Sequence, residues 1–471
     1  MGTIEKRESR LLGHDAPPAK VLAGTAAVTL VLAFGRWGTN IGVSPLFITD
    51  VLIAFSLINW LITNGSKGSR ALTGWVPRSS PTALFIVFMV FVVFRVLFSL
   101  GNGSILDWVR DAVPFLYGIL TFMAARSIAT SVAETRDRTM RFLWWALCVH
   151  LAWTAVVVLT GNGQGFAVPG PFFNAPLFQL RPDADAALIA VAVGMLLRNF
   201  LLKRHRFWSL AGVVLGSVTV LNLGTRAGLI SVVFSLTLAF VLTFSGSVRG
   251  HPRRTAMIFA VPFIIALTAV ILPVTTPGQR LIATIAPTQA VSAEQQSAQG
   301  TQRARELTWT AIIDWTGEEP ARQLVGSGFG NDFLFESGTK SMLEGTTYTN
   351  VRSPHNWFVG IYARMGIVGL ALASAVIIQA GLLVWRHRRR IGSEPLLATA
   401  ALVIGSILPV ATLGVVLEAP FGAVPFFWAL GIIHSLGWPR RESTEKPVSA
   451  SNFVPRSRQL SISTRNRTPR P

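Results

Sequence analysis

Residues 184–245 read ADAALIAVAVGMLLRNFLLKRHRFWSLAGVVLGSVTVLNLGTRAGLISVVFSLTLAFVLTFS. Three apolar runs, 184–201, 207–223 and 226–245, are separated by a short basic turn containing Lys203, Arg204 and Arg206 and by Gly224-Thr225. A helix needs about 20 mostly apolar residues to cross a bilayer, and only a helix or a closed barrel satisfies its own backbone there. Runs of this length joined by turns this short predict antiparallel membrane helices, with ends alternating between the two faces.

Working outward, the same reading applies along the chain. Qualifying segments are 20–36, 43–62, 82–100, 112–129, 141–160, 184–201, 207–223, 226–245, 255–274, 356–384, 396–416 and 421–437. The expectation is an all-α polytopic membrane protein of about twelve helices with one long, partly helical extracytoplasmic loop. The chain is 51% hydrophobic and 14% charged, whereas soluble domains carry about 25% charged residues. The first apolar segment has no convincing small-residue cleavage site, so a retained helix rather than a signal peptide is expected.

The net charge of +20 does not point to nucleic acid. No basic stripe interleaved with aromatics and no nucleic-acid fold signature is present. With the N-terminus placed in the cytoplasm, 30 of the 42 Lys and Arg residues fall in inner segments, and every short inner loop is basic, as the positive-inside rule requires. Both termini are then cytoplasmic. The expected organisation is an N-terminal segment 1–19, helices one to nine over 20–274, an extracytoplasmic loop 275–355, helices ten to twelve over 356–438, and a disordered basic tail 439–471.

Two outer segments stand apart. Residues 161–183 are rich in Gly, Pro and Asn, which is turn chemistry. The loop 275–355 has a polar beginning, an expected helix from Thr301 to about Trp315, and a glycine turn GSGFG at 326–330. That turn is not GxGxxG and sits in no βαβ unit, so it is read as a turn and not as a nucleotide loop. The loop carboxylates Asp314, Glu318, Glu319, Asp332, Glu336 and Glu344 lack metal-ligand spacing and are expected to be solvated. The single cysteine, Cys148, excludes an internal disulfide and a cysteine zinc site.

Of seven histidines, His14, His205, His251 and His387 lie in basic inner segments, and His150 and His434 lie within helices. His355 sits at the outer edge, between Pro354 and the helix-capping residue Asn356, where an imidazole can serve as a general base near neutral pH; a satisfied interfacial histidine is the alternative. Arg226 opens the eighth helix on the outer side, and Arg305 lies on the loop helix one turn before Trp309. Guanidinium forks suit phosphate oxygens; anchoring to lipid headgroups is the competing role. Arg36, Arg110, Arg181, Arg280 and Arg352 are also outer, and Arg95 and Arg364 lie within or beside helices.

Three of these features occur in one order: Thr225-Arg226-Ala227-Gly228, then Arg305-x-x-x-Trp309 leading to the glycine turn, then His355-Asn356 before a helix continuing with Gly366-Ile367-Val368-Gly369. Together they resemble the O-antigen ligase/O-antigen polymerase family of bacterial envelope proteins, by motif over about residues 170–375 and by helix arrangement over the whole chain. The resemblance implies a membrane glycosyltransferase of the GT-C type in the bacterial cytoplasmic (inner) membrane, with an extracytoplasmic active site. It would move a glycan from a polyprenyl-diphosphate carrier to a glycan, lipid or protein acceptor, without metal or other cofactor.

The resemblance also implies roles: His355 as base, Arg226 and Arg305 on the diphosphate, with Asn356, Trp309, Arg181 and Arg303 in support. The chain departs from the family pattern at Arg181-Pro182-Asp183, where an Asn often follows Pro, at Thr225, where Ser is usual, and in its basic tail. Ligase and polymerase share a donor type and stay unseparated at this point. A multi-pass transporter or flippase of an envelope precursor is the alternative function, and a non-catalytic scaffold or receptor is a third.

Overall fold

The computed structural model describes residues 20–39, 41–43, 46–65, 81–161, 169–170, 173–176, 178–246, 270, 272–285, 293–342, 344 and 352–438. The expected ninth helix (255–274) lies almost wholly outside these, as do the N-terminal segment and the tail.

The chain is an all-α polytopic membrane protein. Helices α1 (Thr25–Thr39), α2 (Ile48–Gly65), α3 (Pro81–Phe98), α4 (Ile105–Leu116), α5 (Ile119–Thr130) and α6 (Ala133–Leu159) form the first half. Helices α7 (Pro182–Leu201), α8 (Arg206–Leu223) and α9 (Arg226–Gly246) are the three runs quoted first. The loop region holds α10 (Thr276–Ile285), α11 (Ala293–Gly317), α12 (Pro320–Val325), α13 (Phe333–Glu336) and α14 (Thr339–Met342). The chain then forms α15 (Trp357–Arg386), α16 (Arg388–Ser393), α17 (Pro395–Leu413) and α18 (Pro420–His434). Two very short antiparallel hairpins, Gly42–Val43 with Leu46–Phe47 and Pro169–Gly170 with Phe173–Pro176, are the strands among the described residues.

Nine spans among the described residues are long and apolar enough to cross a membrane, α4 and α5 together counting as one of them. α1, with 15 residues, is shorter and bends at Gly35, and α2 contributes a shorter apolar stretch, Ile48–Thr63. The fourth expected span, 112–129, begins earlier than its hydropathy suggested. Two helices meet at Tyr117-Gly118, so one 26-residue segment, Ile105–Thr130, replaces it.

α7 is apolar on every side and is accordingly central. Its residues from Ala184 to Leu196 are buried. Small residues let its neighbours approach closely, as membrane packing requires where lipid gives no hydrophobic drive between helices. A Cβ on Gly194 would collide with Ser235 Oγ of α9, and one on Gly228 of α9 would meet the Ala186 Cβ. α17 and α18 are buried with α7, whereas α3 and α8 expose Val90, Phe94, Phe98, Phe207, Trp208 and Val214. Apolar surface of this extent is costly in water and neutral in lipid.

The loop docks on α15 where that helix breaks. Gly366 adopts φ +63°, and a Cβ there would meet the backbone of Leu324. The break removes helical donors from two carbonyls, and the glycine turn replaces them: Ser327 N–H donates to Ala363 O (2.8 Å) and Gly328 N–H to Arg364 O (3.0 Å). The glycine turn therefore has a structural task, with Gly326 (φ +76°) lying against the Arg364–Met365 peptide. Arg95 donates from Nη2 to Gly326 O (2.9 Å) and secures the same junction.

Candidate active site

His355 is held by its neighbours rather than by a regular element. Pro354 precedes it, and its own φ is +54°, in the left-handed region that non-glycine residues seldom occupy. Its N–H donates to Ser353 Oγ (3.3 Å). Asn356 caps α15, its Oδ1 accepting from Phe358 N–H (3.0 Å) and Val359 N–H (3.3 Å). Trp309 Nε1–H donates to Pro354 O (2.7 Å), tying α11 to the turn that carries the histidine. Asn356 and Trp309 thus fix the position of His355.

The helix ends around this turn bring arginines together. Arg226 is the first residue of α9, where Thr225 Oγ1 caps the helix by accepting from Gly228 N–H (3.1 Å). Arg305 on α11 donates from Nη1 to Leu413 O at the end of α17 (3.0 Å). Arg280 on α10 donates from Nη1 to Gly224 O (3.1 Å). Arg181 precedes α7, with its Nε 3.1 Å from Asp183 Oδ1 and its backbone N–H donating to Asp185 Oδ2 (2.6 Å).

Arg181, Arg226, Arg280, Arg305 and His355 line one cavity of about 380 Å³, with Asp183, Thr225, Thr301 and Leu413. His355, Arg226 and Arg305 thus meet in a shared cavity. Arg181 lines it too. Arg303 does not: it is exposed on α11 and outside this cavity.

A second cavity, about 290 Å³, adjoins the first and shares Arg181 and His355 with it. Its remaining lining includes Arg110, Asp111, Arg352, Ser353, Arg364 and Glu418. Here guanidiniums outnumber carboxylates four to two, but Arg352 and Arg364 are ion-paired. Arg364 Nη2 lies 3.5 Å from Asp111 Oδ1 and 3.7 Å from Glu418 Oε2. Arg352 reaches Asp107 (3.2 Å), Asp111 (3.7 Å) and Asp332 (3.7 Å). Asp332 also pairs with Lys340, and Glu318 and Glu319 pair with Arg322. Glu318 and Glu319 are exposed, as expected, with Arg322 alongside, whereas Asp332 is ion-paired and only partly exposed. Burial pushes the Glu418 carboxyl above the usual range, offset in part by Arg364 and a hydrogen bond from Ser353.

Burial lowers His355 from 6.5 to about 4, and the positive charges of Arg305 and Arg181 add to the shift against a smaller opposing effect of Asp183. The imidazole is neutral at pH 7, with a lone pair to accept a proton. The first cavity offers guanidinium donors suited to an oxyanion. Among the described residues, no group of three or more His, Cys, Asp or Glu side chains is placed to hold a metal.

Asp111 and Glu418 escaped the sequence reading. Both lie in apolar surroundings, in ILDWVRDAVPF and GVVLEAPF, and an ionisable group in such a setting is itself a signal of a site. Arg110, Arg352 and Arg364 were visible as outer or helical arginines, but nothing in the sequence pairs them.

Residues 211–374 match the family model described as O-antigen ligase. That range holds Arg226, Arg280, Arg305, Trp309, His355 and Asn356, and leaves out Arg181, Asp111 and Glu418. No curated protein matches the chain. This match supports the resemblance to the O-antigen ligase family over residues 211–374.

Proposed function

We propose that this chain transfers a glycan from a polyprenyl diphosphate to an acceptor hydroxyl at the extracytoplasmic face of the bacterial cytoplasmic membrane, in surface polysaccharide biosynthesis. The observation that carries the reading is the position of His355, neutral and shared between an arginine-rich cavity and one in which Arg352 and Arg364 are ion-paired. The first suits a diphosphate. Four guanidiniums answered by a single lining carboxylate, Asp183, can bind its oxygens and stabilise the charge that grows on it as the glycosidic bond breaks. The second suits a polyhydroxylated acceptor, because paired carboxylates and guanidiniums offer hydrogen bonds of both kinds.

In this reading the acceptor hydroxyl oxygen attacks the anomeric carbon and the carbon–oxygen bond to the diphosphate breaks. The hydroxyl proton passes to the His355 imidazole, and the electron pair leaves with the polyprenyl diphosphate. Attack opposite the leaving group inverts the anomeric centre. The carrier's hydrocarbon tail lies between helices in lipid. The acceptor is a glycan, a lipid or a protein.

The test is complementation of a deletion strain with wild type, His355→Ala, Arg226→Ala or Arg305→Ala, with protein level checked. The expected result is accumulation of lipid-linked glycan and loss of finished polymer or conjugate. Product length then separates a polymerase from a ligase. Full restoration of surface glycan by well-expressed His355→Ala overturns the reading and favours a transporter or flippase.

A further inference from the structure

The helices that carry the site have a second set of ends. Along α7, Arg181 before its first residue and Arg198 in its last turn are about 25 Å apart at 1.5 Å per residue, and α9 and α17 run beside it. At the ends away from His355, Arg198, Leu202, Arg204, Thr243, Gly392, Ser393 and Pro395 line a cavity of about 560 Å³, together with Asp137 of α6.

Arg198 is 2% exposed. Its Nη2 donates to Gly392 O (2.9 Å), while its Nε finds no partner. No carboxylate among the described residues pairs with it: Asp137 is exposed, and Glu394, two residues after Gly392, is bound by Arg136 (3.6 Å) and Arg390 (3.2 Å). A guanidinium has five donors, and a buried cation with one carbonyl acceptor carries an uncompensated desolvation cost unless an anion joins it. Two other polar groups in the lining are already committed as donors, Thr243 to Ala239 O (2.6 Å) and Ser393 to Arg390 O (2.8 Å). The first turn of α17 also faces this end, with no side-chain cap from Glu394, so its leading N–H groups favour negative charge.

We infer that this cavity binds a phosphate group through Arg198 and Arg204, at the membrane face opposite His355. The planar fork of Arg198 takes two oxygens of the phosphate, and the exposed Arg204 supplies a second positive charge at the mouth. The same chemistry is offered by an anionic lipid headgroup and by a soluble phosphate.

The full-length protein in neutral detergent tests this with two probes, inorganic phosphate by calorimetry and phosphatidylglycerol by retention in native mass spectrometry, with phosphatidylcholine as the neutral control. The expected result is saturable binding of one or both anionic probes. Arg198→Gln or Arg204→Gln should weaken it about tenfold or more, the loss expected for a charge-assisted contact. Binding of phosphate identifies a soluble ligand; binding of phosphatidylglycerol alone identifies a lipid headgroup. Arg198→Lys guards against misfolding, since it keeps the charge and loses the fork. No saturable binding of either probe, equal retention of phosphatidylcholine, or unchanged affinity in correctly melting variants overturns the inference.

Discussion

Helices α7, α9 and α17 have arginines at or beside both ends, and the two ends treat them differently. At the His355 end, Arg181, Arg226, Arg280 and Arg305 surround an open cavity, with a carboxylate 3.1 Å from Arg181 and a cavity containing ion-paired arginines alongside. At the far end, Arg198 is sunk beside a carbonyl with no carboxylate paired to it among the described residues, and the cavity lining holds the exposed Asp137 but no histidine. Both ends suit phosphate oxygens, but only the first pairs them with a neutral base. The difference between the ends is that the arginines of the first stand beside a half-buried, left-handed histidine, on which the proposed chemistry rests.

The comparison breaks most directly at His355. Replacing it with Ala is expected to lower the transfer rate about 10²–10⁴-fold, the usual worth of a general base, whereas Arg204→Gln at the far end leaves the rate within a few-fold. A quantitative assay of polymer formed from purified lipid-linked donor checks both. If the two variants fall together, the ends are not separate sites.

Next come the arginines. Arg305→Ala and Arg226→Ala are expected to cost about 10²–10³-fold in kcat, as for the loss of a preorganised oxyanion donor. Arg305→Lys recovers part of this, since it keeps the charge but not the fork. An effect confined to KM would mean that these residues bind the donor without favouring the transition state.

The pH profile sharpens the same contrast. Free His355 titrates at about 4, so kcat/KM should stay level from pH 7 down to about pH 5 and fall below that. Bound diphosphate brings negative charge, so the acid limb of kcat should lie at higher pH than that of kcat/KM. For stability, an unfolded histidine binds its proton near pH 6.5 and the folded one only near 4. Wild type should therefore lose stability relative to His355→Gln as pH falls through that window, measured by thermal melting. The expected effect of Arg204→Gln on this profile is nil.

The smallest effects concern support. Asn356→Ala removes the cap of α15 and should cost about 1 kcal/mol, read as a lowered melting temperature. Trp309→Phe removes the hydrogen bond to Pro354 O, also worth about 1 kcal/mol. If both leave kcat unchanged while lowering stability, they hold the turn without tuning the chemistry.

Much of this was legible from the chain because membrane helices are a local property. Apolar length fixes spans, and the Arg226, Arg305 and His355 motifs announce themselves by order along the sequence. The loop helix was visible at Thr301–Trp315 but runs from Ala293 to Gly317, because its polar first turns carry no apolar period to reveal them. The break at Tyr117-Gly118 was hidden by continuous hydrophobicity on both sides.

What the sequence determined by itself was a polytopic helical protein with a long loop bearing a histidine between Pro and Asn. It also determined which arginines lie at helix ends, since backbone hydrogen bonding in lipid leaves few other arrangements. Only the tertiary structure decided which charges answer one another. Asp111, Arg352, Arg364 and Glu418 come from segments far apart in the chain and meet because α4, α15 and the turn before α18 converge. Ion pairing depends on distances of a few ångströms in a low-dielectric interior, and no pattern along one strand of sequence encodes those distances.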